Sequence, residues 1–490
     1  MSDFGKNVLT IGTGNVIAQV ISLGAIPIIT RLFTPTEYGA FAIYLAIATT
    51  AFPLATLRYS AAILLAESDD DVTNLATLAF VMSIVTAGIA FAVLSVTLTA
   101  QLLPKSWETM NITSLLWIIP LGLLIQGIGE VAAALALRSK NFSHISSARV
   151  LESVIDRGIV LIIGPVVAAT AGVLVAGRTI GPLVGNLLLI RSVRKKYRRQ
   201  HLLAIKNSQM LLLAKRYKDF ALIATWASLF DSASRQIPIL LMGLFFPPLV
   251  AGQYMLAMQV INLPMMIVGD AIANVFLQRS AQNRNDLVGL GTMALKLLKY
   301  LLLLSIPFVL VMSFLGRAIF AIIFGDQWET AGIFLQILGI SFLLMFLHRP
   351  FSALFDVMER QRARVIYDGV LLIGRVLVIL IAGFAGQSPT VALLGIVVVT
   401  VVVYTSGLVY LFGLIKVPAK RLADVISRPI RSYIPLAIAL PMITSQELGN
   451  VFTLMLGVGV LVIQTAIIFR NQPDLLRELA GATGLGSNPS

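Results

Sequence analysis

"IPIITRLFTP" at Ile26–Pro35 returns, little changed, as "IPILLMGLFFP" at Ile237–Pro247. Each copy is an apolar run that closes on a proline, and proline removes a backbone donor and kinks or ends a helix. Two more phrases recur in the same order and at a similar offset. "SWETMNITSLLWIIPLGLLI" from Ser106 matches "QWETAGIFLQILGISFLLMF" from Gln327, and "ALRSKNFSHISSARVLESVIDRG" from Ala136 matches "ALFDVMERQRARVIYDGVLLIGR" from Ala353. Three collinear matches predict a duplicated unit, with the opening phrase marking the first helix of each copy. In each copy the inner proline (Pro27, Pro238) is expected to kink that helix and the outer one (Pro35, Pro247) to end it.

The surrounding sequence says what kind of helix this is. Of 490 residues, 58% are hydrophobic and only 12% charged, and the mean hydropathy is +0.90. So little charge cannot cover a soluble surface of this size, which places the chain in the membrane class. Apolar runs of about 18 residues or more recur, each long enough to cross a bilayer as a helix. "MSDFGKN" leads straight into the first, which is too long for a signal-peptide core and is expected to act as its own insertion signal. The fold expected is an all-α integral membrane protein of about fourteen transmembrane helices.

Six spans fall in each repeat. Six is even, so the copies enter the membrane from the same side, as parallel repeats. The expected division is an N-lobe at 1–190, a basic linker at 191–218, a C-lobe at 219–414, and two added helices with a tail at 415–490. The thirteenth span, at 433–445, is short. Lys and Arg set the orientation. With both termini cytoplasmic, most of the 37 Lys and Arg fall inside, and the outer loops hold only Arg31, Lys105 and Arg317. The net charge of +14 therefore follows from topology and anionic lipid, and implies no nucleic acid. "ESDDD" at Glu67–Asp71 is acidic where that rule expects basic residues, and reads as a tight solvated loop. "RAIFAIIFGDQW" near Arg317 reads as an interfacial helix with a tryptophan anchor.

Six arginines fall inside predicted spans: Arg58, Arg157, Arg178, Arg235, Arg349 and Arg375. Each costs about 2.5–3.5 kcal/mol at a helix centre, so such residues face a bundle interior or a watery cavity. Arg178, Arg235 and Arg349 precede helix breakers, where freed backbone groups would line a polar site. Arg157 and Arg375 occupy matching places in the two repeats, within one residue. All six are candidate donors to an anionic substrate. The carboxylates Asp231, Asp270, Glu130 and Asp156 are candidate ion-pair partners and candidate sites for a coupling cation. Asp231 and Arg235 have helical spacing for a pair; Arg58 and Asp270 align under the first repeat; Arg157 has Asp156 and Glu130 within reach.

Other chemistry is missing from the sequence. With no cysteine, disulfides, thiolate metal sites and cysteine nucleophiles are excluded. There is no GxxxxGK[ST] loop and no HExxH, so neither a cofactor nor a metal is expected and the chain is not read as an enzyme. The histidines His144, His201 and His348 are scattered, and His348 reads as a buried, hydrogen-bonded residue.

"RLFTPTEYGAFAIY", "ALRSKNF" and "FGDQWETAGIFLQILG" resemble the polysaccharide exporters of the multidrug/oligosaccharidyl-lipid/polysaccharide superfamily, specifically the O-antigen or exopolysaccharide repeat-unit flippases. The resemblance covers nearly the whole chain. It implies a bacterial inner-membrane protein whose two six-helix lobes form a V-shaped cavity. It also implies passage of an undecaprenyl-diphosphate-linked oligosaccharide to the outer leaflet, coupled to protons or sodium, alongside other polysaccharide-assembly membrane proteins. A diphosphate suits arginine forks, in agreement with the charge pattern. A lipid II flippase and a multidrug/cation antiporter of the same superfamily are the rival readings; the antiporter would favour acidic over basic residues in its cavity.

Overall fold

The computed structural model describes residues 3–194, 205–444 and 450–470, and every secondary-structure element among them is a helix. The basic run Lys195–Gln200, His201 and the tail beyond Arg470 lie outside the described residues. Among the described residues, ten helices are long and apolar enough to cross a membrane. The chain is a multi-pass membrane protein. The other expected spans overlap helices at Phe142–Val166, Thr225–Phe245, Pro248–Pro264 with Asp270–Gln282 (joined by a π-helical turn) and Ala419–Thr444. The last of these contains the expected thirteenth span and carries three internal prolines without breaking.

The chain forms two compact units, Met1–Gly252 and Gln253–Ser490. The first contains α1 (Asp3–Gly24), α2 (Ile26–Leu32), α3 (Pro35–Ala51), α4 (Tyr59–Ala62), α5 (Asp69–Thr99), α6 (Lys105–Thr109), α7 (Ile112–Leu116), α8 (Ile119–Arg138), α9 (Phe142–Val166), α10 (Ala171–Arg194), α11 (Asn207–Arg216) and α12 (Thr225–Phe245). α9 and α10 pack so closely that a Cβ on Gly177 would stand 2.7 Å from the Asp156 carbonyl. Small residues at such a crossing let helix backbones approach where hydrophobic segregation gives no drive. Trp107 on α6 is buried and donates its indole N–H to the Gly243 carbonyl at 2.9 Å, fastening the end of α12.

α13 (Pro248–Pro264) leads into the second unit. There follow α14 (Asp270–Gln282), α15 (Leu287–Phe324), α16 (Glu329–Phe351), α17 (Ala353–Val357), α18 (Gln361–Phe384), α19 (Pro389–Leu414), α20 (Ala419–Thr444) and α21 (Asn450–Arg470). The core here is the α15–α16 pair, with Phe320, Phe342 and Phe351 fully buried. "RAIFAIIF" is not a separate interfacial helix but the last two turns of the 38-residue α15. Trp328 is fully buried rather than an interfacial anchor.

The prolines also depart from expectation. Pro35 and Pro248 open α3 and α13, and α2 and α12 end just before them. Pro27 sits at a true interruption between α1 and α2, but Pro238 lies inside an unbroken α12. Pro182 is likewise inside a continuous helix, so Arg178 and Arg235 do not adjoin breaks; Arg349 does, since α16 ends at Phe351, just past Pro350, and α17 starts at Ala353. One bond lost inside a long, packed helix is tolerated when neighbouring groups compensate. The sharp break lies elsewhere. After α3 the chain passes through a 3-10 turn at Phe52–Leu54, then Leu57 and Arg58 adopt φ of 46° and 59° before α4 begins. Non-glycine residues are uncommon there and pay a conformational cost.

Candidate functional site

The first unit holds four of the six arginines. Arg178 on α10 lies 3.7 Å from Glu152 on α9, and Arg157 lies 3.8 Å from its neighbour Asp156, not near Glu130. Arg157 keeps one unmet donor: its Nε is buried without a partner. On α12 Arg235 grips Asp231 at 2.6 Å, as the helical spacing predicts. Both side chains are more than 60% exposed. Such a pair is costly where it meets hydrocarbon. Arg58 stands exposed at the strained turn, and no ion pair holds it among the described residues.

Glu130 has no cationic partner among the described residues. Its Oε2 accepts from Thr56 Oγ1 at 2.6 Å and from Ser60 Oγ at 3.0 Å, and its Oε1 accepts from Gln126 Nε2 at 3.1 Å. Thr56 and Ser60 are one helical turn apart and buried, and they flank the strained Leu57–Arg58 pair. The break therefore aims two hydroxyls at one carboxylate, a set of oxygens suited to a hard monovalent cation. The sequence reading missed both hydroxyls. Their signal was "TLRYS", two hydroxyl residues at helical spacing around an intramembrane arginine.

In the second unit Asp270 on α14 is taken by Arg349 on α16 at 2.6 Å, which corrects the expected pairing of Asp270 with Arg58. Arg375 on α18 differs from the others. Its Nη2 donates to Thr400 Oγ1 at 3.2 Å, its Nε is buried without a partner, and the phenols of Tyr254 and Tyr404 lie nearby. No carboxylate lies within salt-bridge distance among the described residues. It is an uncompensated cation in a span. His348 is buried and stacked on Tyr367 with ring centroids 4.8 Å apart, but its Nε2 has no partner, contrary to the hydrogen-bonded residue expected. No group of three metal-ligating side chains occurs among the described residues.

The Asp231–Arg235 pair gives one direct test. If the two residues only neutralise each other, Asp231→Asn with Arg235→Gln together should insert stably and transport normally. If Arg235 binds the substrate, the double variant should insert yet lose transport. The bond geometry alone makes pairing the stronger role, so we expect at least half of the activity to return in a vesicle assay.

Comparison with known proteins was made on this background. Residues 28–332 match the model of a family described as polysaccharide biosynthesis proteins. The teichuronic acid biosynthesis protein TuaB of Bacillus subtilis (strain 168) is 22% identical over 307 residues. That alignment spans 62% of each chain, so this chain covers less than two thirds of its relative. Among solved structures, lipid II flippase MurJ in an inward closed conformation superposes with a TM-score of 0.63 at 12% identity, over 94% of this chain and 99% of that one. An inward-facing multidrug resistance MATE family transporter of the MOP superfamily superposes at 0.50 with 14% identity, over 86% and 95%. At such identities the structures establish a shared fold. The family match covers more than half of the chain, and on it the protein belongs to the polysaccharide biosynthesis protein family.

Proposed function

We propose that the protein is a flippase that carries an undecaprenyl-diphosphate-linked oligosaccharide repeat unit from the cytoplasmic to the outer leaflet of the bacterial inner membrane. It crosses the membrane fourteen times, with two six-helix lobes around a V-shaped cavity, two further helices and cytoplasmic termini, and works by alternating access. The activity is transport, not catalysis. Arg375 carries this reading: a partly buried guanidinium in a span, without a carboxylate partner and with a free Nε. Such a group favours an anion, and a diphosphate offers the planar, paired acceptors that a guanidinium matches best. The repeat symmetry of the sequence supports assigning Arg157 to the same head group, since its Nε is also unbonded. Arg178, Arg235, Arg349 and Arg58 are secondary donors.

Glu130 is the best candidate for the coupling carboxylate, because Asp156, Asp231 and Asp270 each have an arginine partner. The MurJ-like fold keeps lipid II as the second substrate reading, since its diphosphate would meet the same donors. The test is deletion of the gene and analysis of lipid-linked species. Accumulation of an oligosaccharide-diphospholipid on the cytoplasmic side supports the repeat-unit reading. Accumulation of lipid II moves the protein to the rival substrate, and accumulation of neither overturns the proposal.

A further inference from the structure

The acidic island at Glu67–Asp71 is a tight, solvent-exposed turn running into α5, as expected, but its side chains are engaged. Ser68 caps α5, and the amphipathic α11 lies against this end of the first unit. Leu213 is buried among Ile63, Leu75 and Leu78. Gln209 Nε2 donates to Asp71 Oδ1 at 2.9 Å, and Arg216 pairs with Glu67. The hydrogen bond to Glu67 holds the Arg216 guanidinium above its ordinary pKa. The island thus fixes the register of α11, while Leu213 supplies most of the hold, because exposed ion pairs contribute little.

Two connections make this helix more than a strut. Toward the C-terminus it passes through a π-turn at Phe220–Ala224 directly into α12, which carries the exposed Asp231–Arg235 pair. Toward the core, Tyr59 donates its hydroxyl to the Ala214 carbonyl at 3.3 Å. Tyr59 directly follows the strained Leu57–Arg58 turn and lies between Thr56 and Ser60, the two hydroxyl residues that hold Glu130. A carboxylate, a strained turn, a surface helix and the helix of the Asp231–Arg235 pair are therefore linked by consecutive contacts within one unit.

We propose that α11 is a cytoplasmic latch that transmits the state of Glu130 to α12. The inference rests on the reading of Glu130 as the coupling carboxylate. With its charge bare, Glu130 draws Thr56 and Ser60 inward, and Tyr59 holds the latch down. When a cation neutralises that charge the two hydroxyl bonds weaken, the strained turn relaxes, and α11 lifts with the start of α12. Short surface helices held by few buried side chains open at low free energy, which suits such a part.

Hydrogen exchange of the full chain in lipid nanodiscs tests this without any glycan. Leu213→Ala should speed exchange of the 207–216 amides by about tenfold or more, which calibrates latch opening. Glu130→Gln mimics the neutralised state and should speed the same amides by about fivefold, the difference between hydrogen bonds to charged and to neutral acceptors. In a Tyr59→Phe background the Glu130→Gln effect should vanish. Ser60→Ala serves as a second route to the same loosening if Glu130→Gln fails to fold. Unchanged 207–216 exchange in Glu130→Gln and in Ser60→Ala, with Leu213→Ala responsive, overturns the latch. So does an effect that persists undiminished without the Tyr59 hydroxyl. Failure of the flippase reading would appear instead in the deletion strain, and would leave these exchange rates untouched.

Discussion

Arg375→Lys should lower glycan export by at least about tenfold while insertion and abundance in the membrane stay normal. Lysine keeps the positive charge but replaces a planar fork by a point charge, and it cannot make two parallel bonds to a diphosphate. A loss of one charge-assisted bond in a low-dielectric setting is worth about 1.5–3 kcal/mol, which sets that lower bound. Arg375→Glu should abolish export, since a carboxylate would then face the anion. The effect should be larger than for Arg178→Lys or Arg349→Lys, whose guanidinium groups already have Glu152 and Asp270 to answer. The absence of cysteine gives a clean second readout. Single cysteines at positions 157 and 375 should react with a water-soluble thiol reagent, and lipid-linked substrate should slow both reactions. Export that survives Arg375→Lys at the wild-type rate would remove this residue from the substrate site.

The largest stability effects are expected at Gly39 and Gly252. Within the first unit α3 meets the start of α13 backbone to backbone. A Cβ on Gly252 would stand 2.6 Å from the Pro35 carbonyl and 2.7 Å from the Gly39 amide nitrogen, and one on Gly39 would run into the Pro248 carbonyl. These neighbours are backbone atoms and cannot swing aside. Gly39→Val and Gly252→Val should each cost about 3 kcal/mol, the upper range for overpacking, seen as a lower melting temperature and a poor yield of purified protein. Gly88→Val is the matched control. Nothing lies within 4 Å of the Cβ it would add, so its stability should stay within about 0.5 kcal/mol of the parent. Equal effects at all three glycines would mean that helix propensity, rather than the close crossing, sets the cost.

The glycine contact had a sequence signal that went unread. "PTEYG" at Pro35–Gly39 and "PLVAG" at Pro248–Gly252 each place a glycine one turn after the proline that opens a helix. The apolar phrase before them marked the repeat, but it took backbone placement to show why the glycines matter. The breaks were misread for a related reason. Proline lowers the stability of a helix interior without forcing it open, and packed neighbours kept α10 and α12 continuous through Pro182 and Pro238. The left-handed break came at Leu57 and Arg58, four residues after Pro53 of the 3-10 turn, where neither residue is glycine and the surrounding packing holds a strained backbone.

Length, apolar runs and the spread of Lys and Arg determined by themselves that this is a helical membrane protein, because a bilayer leaves the backbone few alternatives. Local spacing sufficed for the Asp231–Arg235 pair, whereas Arg317, expected in an outer loop, lies inside the long α15. Which arginine is neutralised and which remains free was decided by tertiary structure. Asp270 and Arg349 are 79 residues apart, and Thr56 and Glu130 are 74 apart. Partners so distant meet only through the rotation and height of packed helices, which hydropathy does not encode. Among the described residues that packing left Arg375 without a carboxylate and Glu130 without a cation, and so separated an anion-binding candidate from a coupling candidate among side chains that look alike in the sequence.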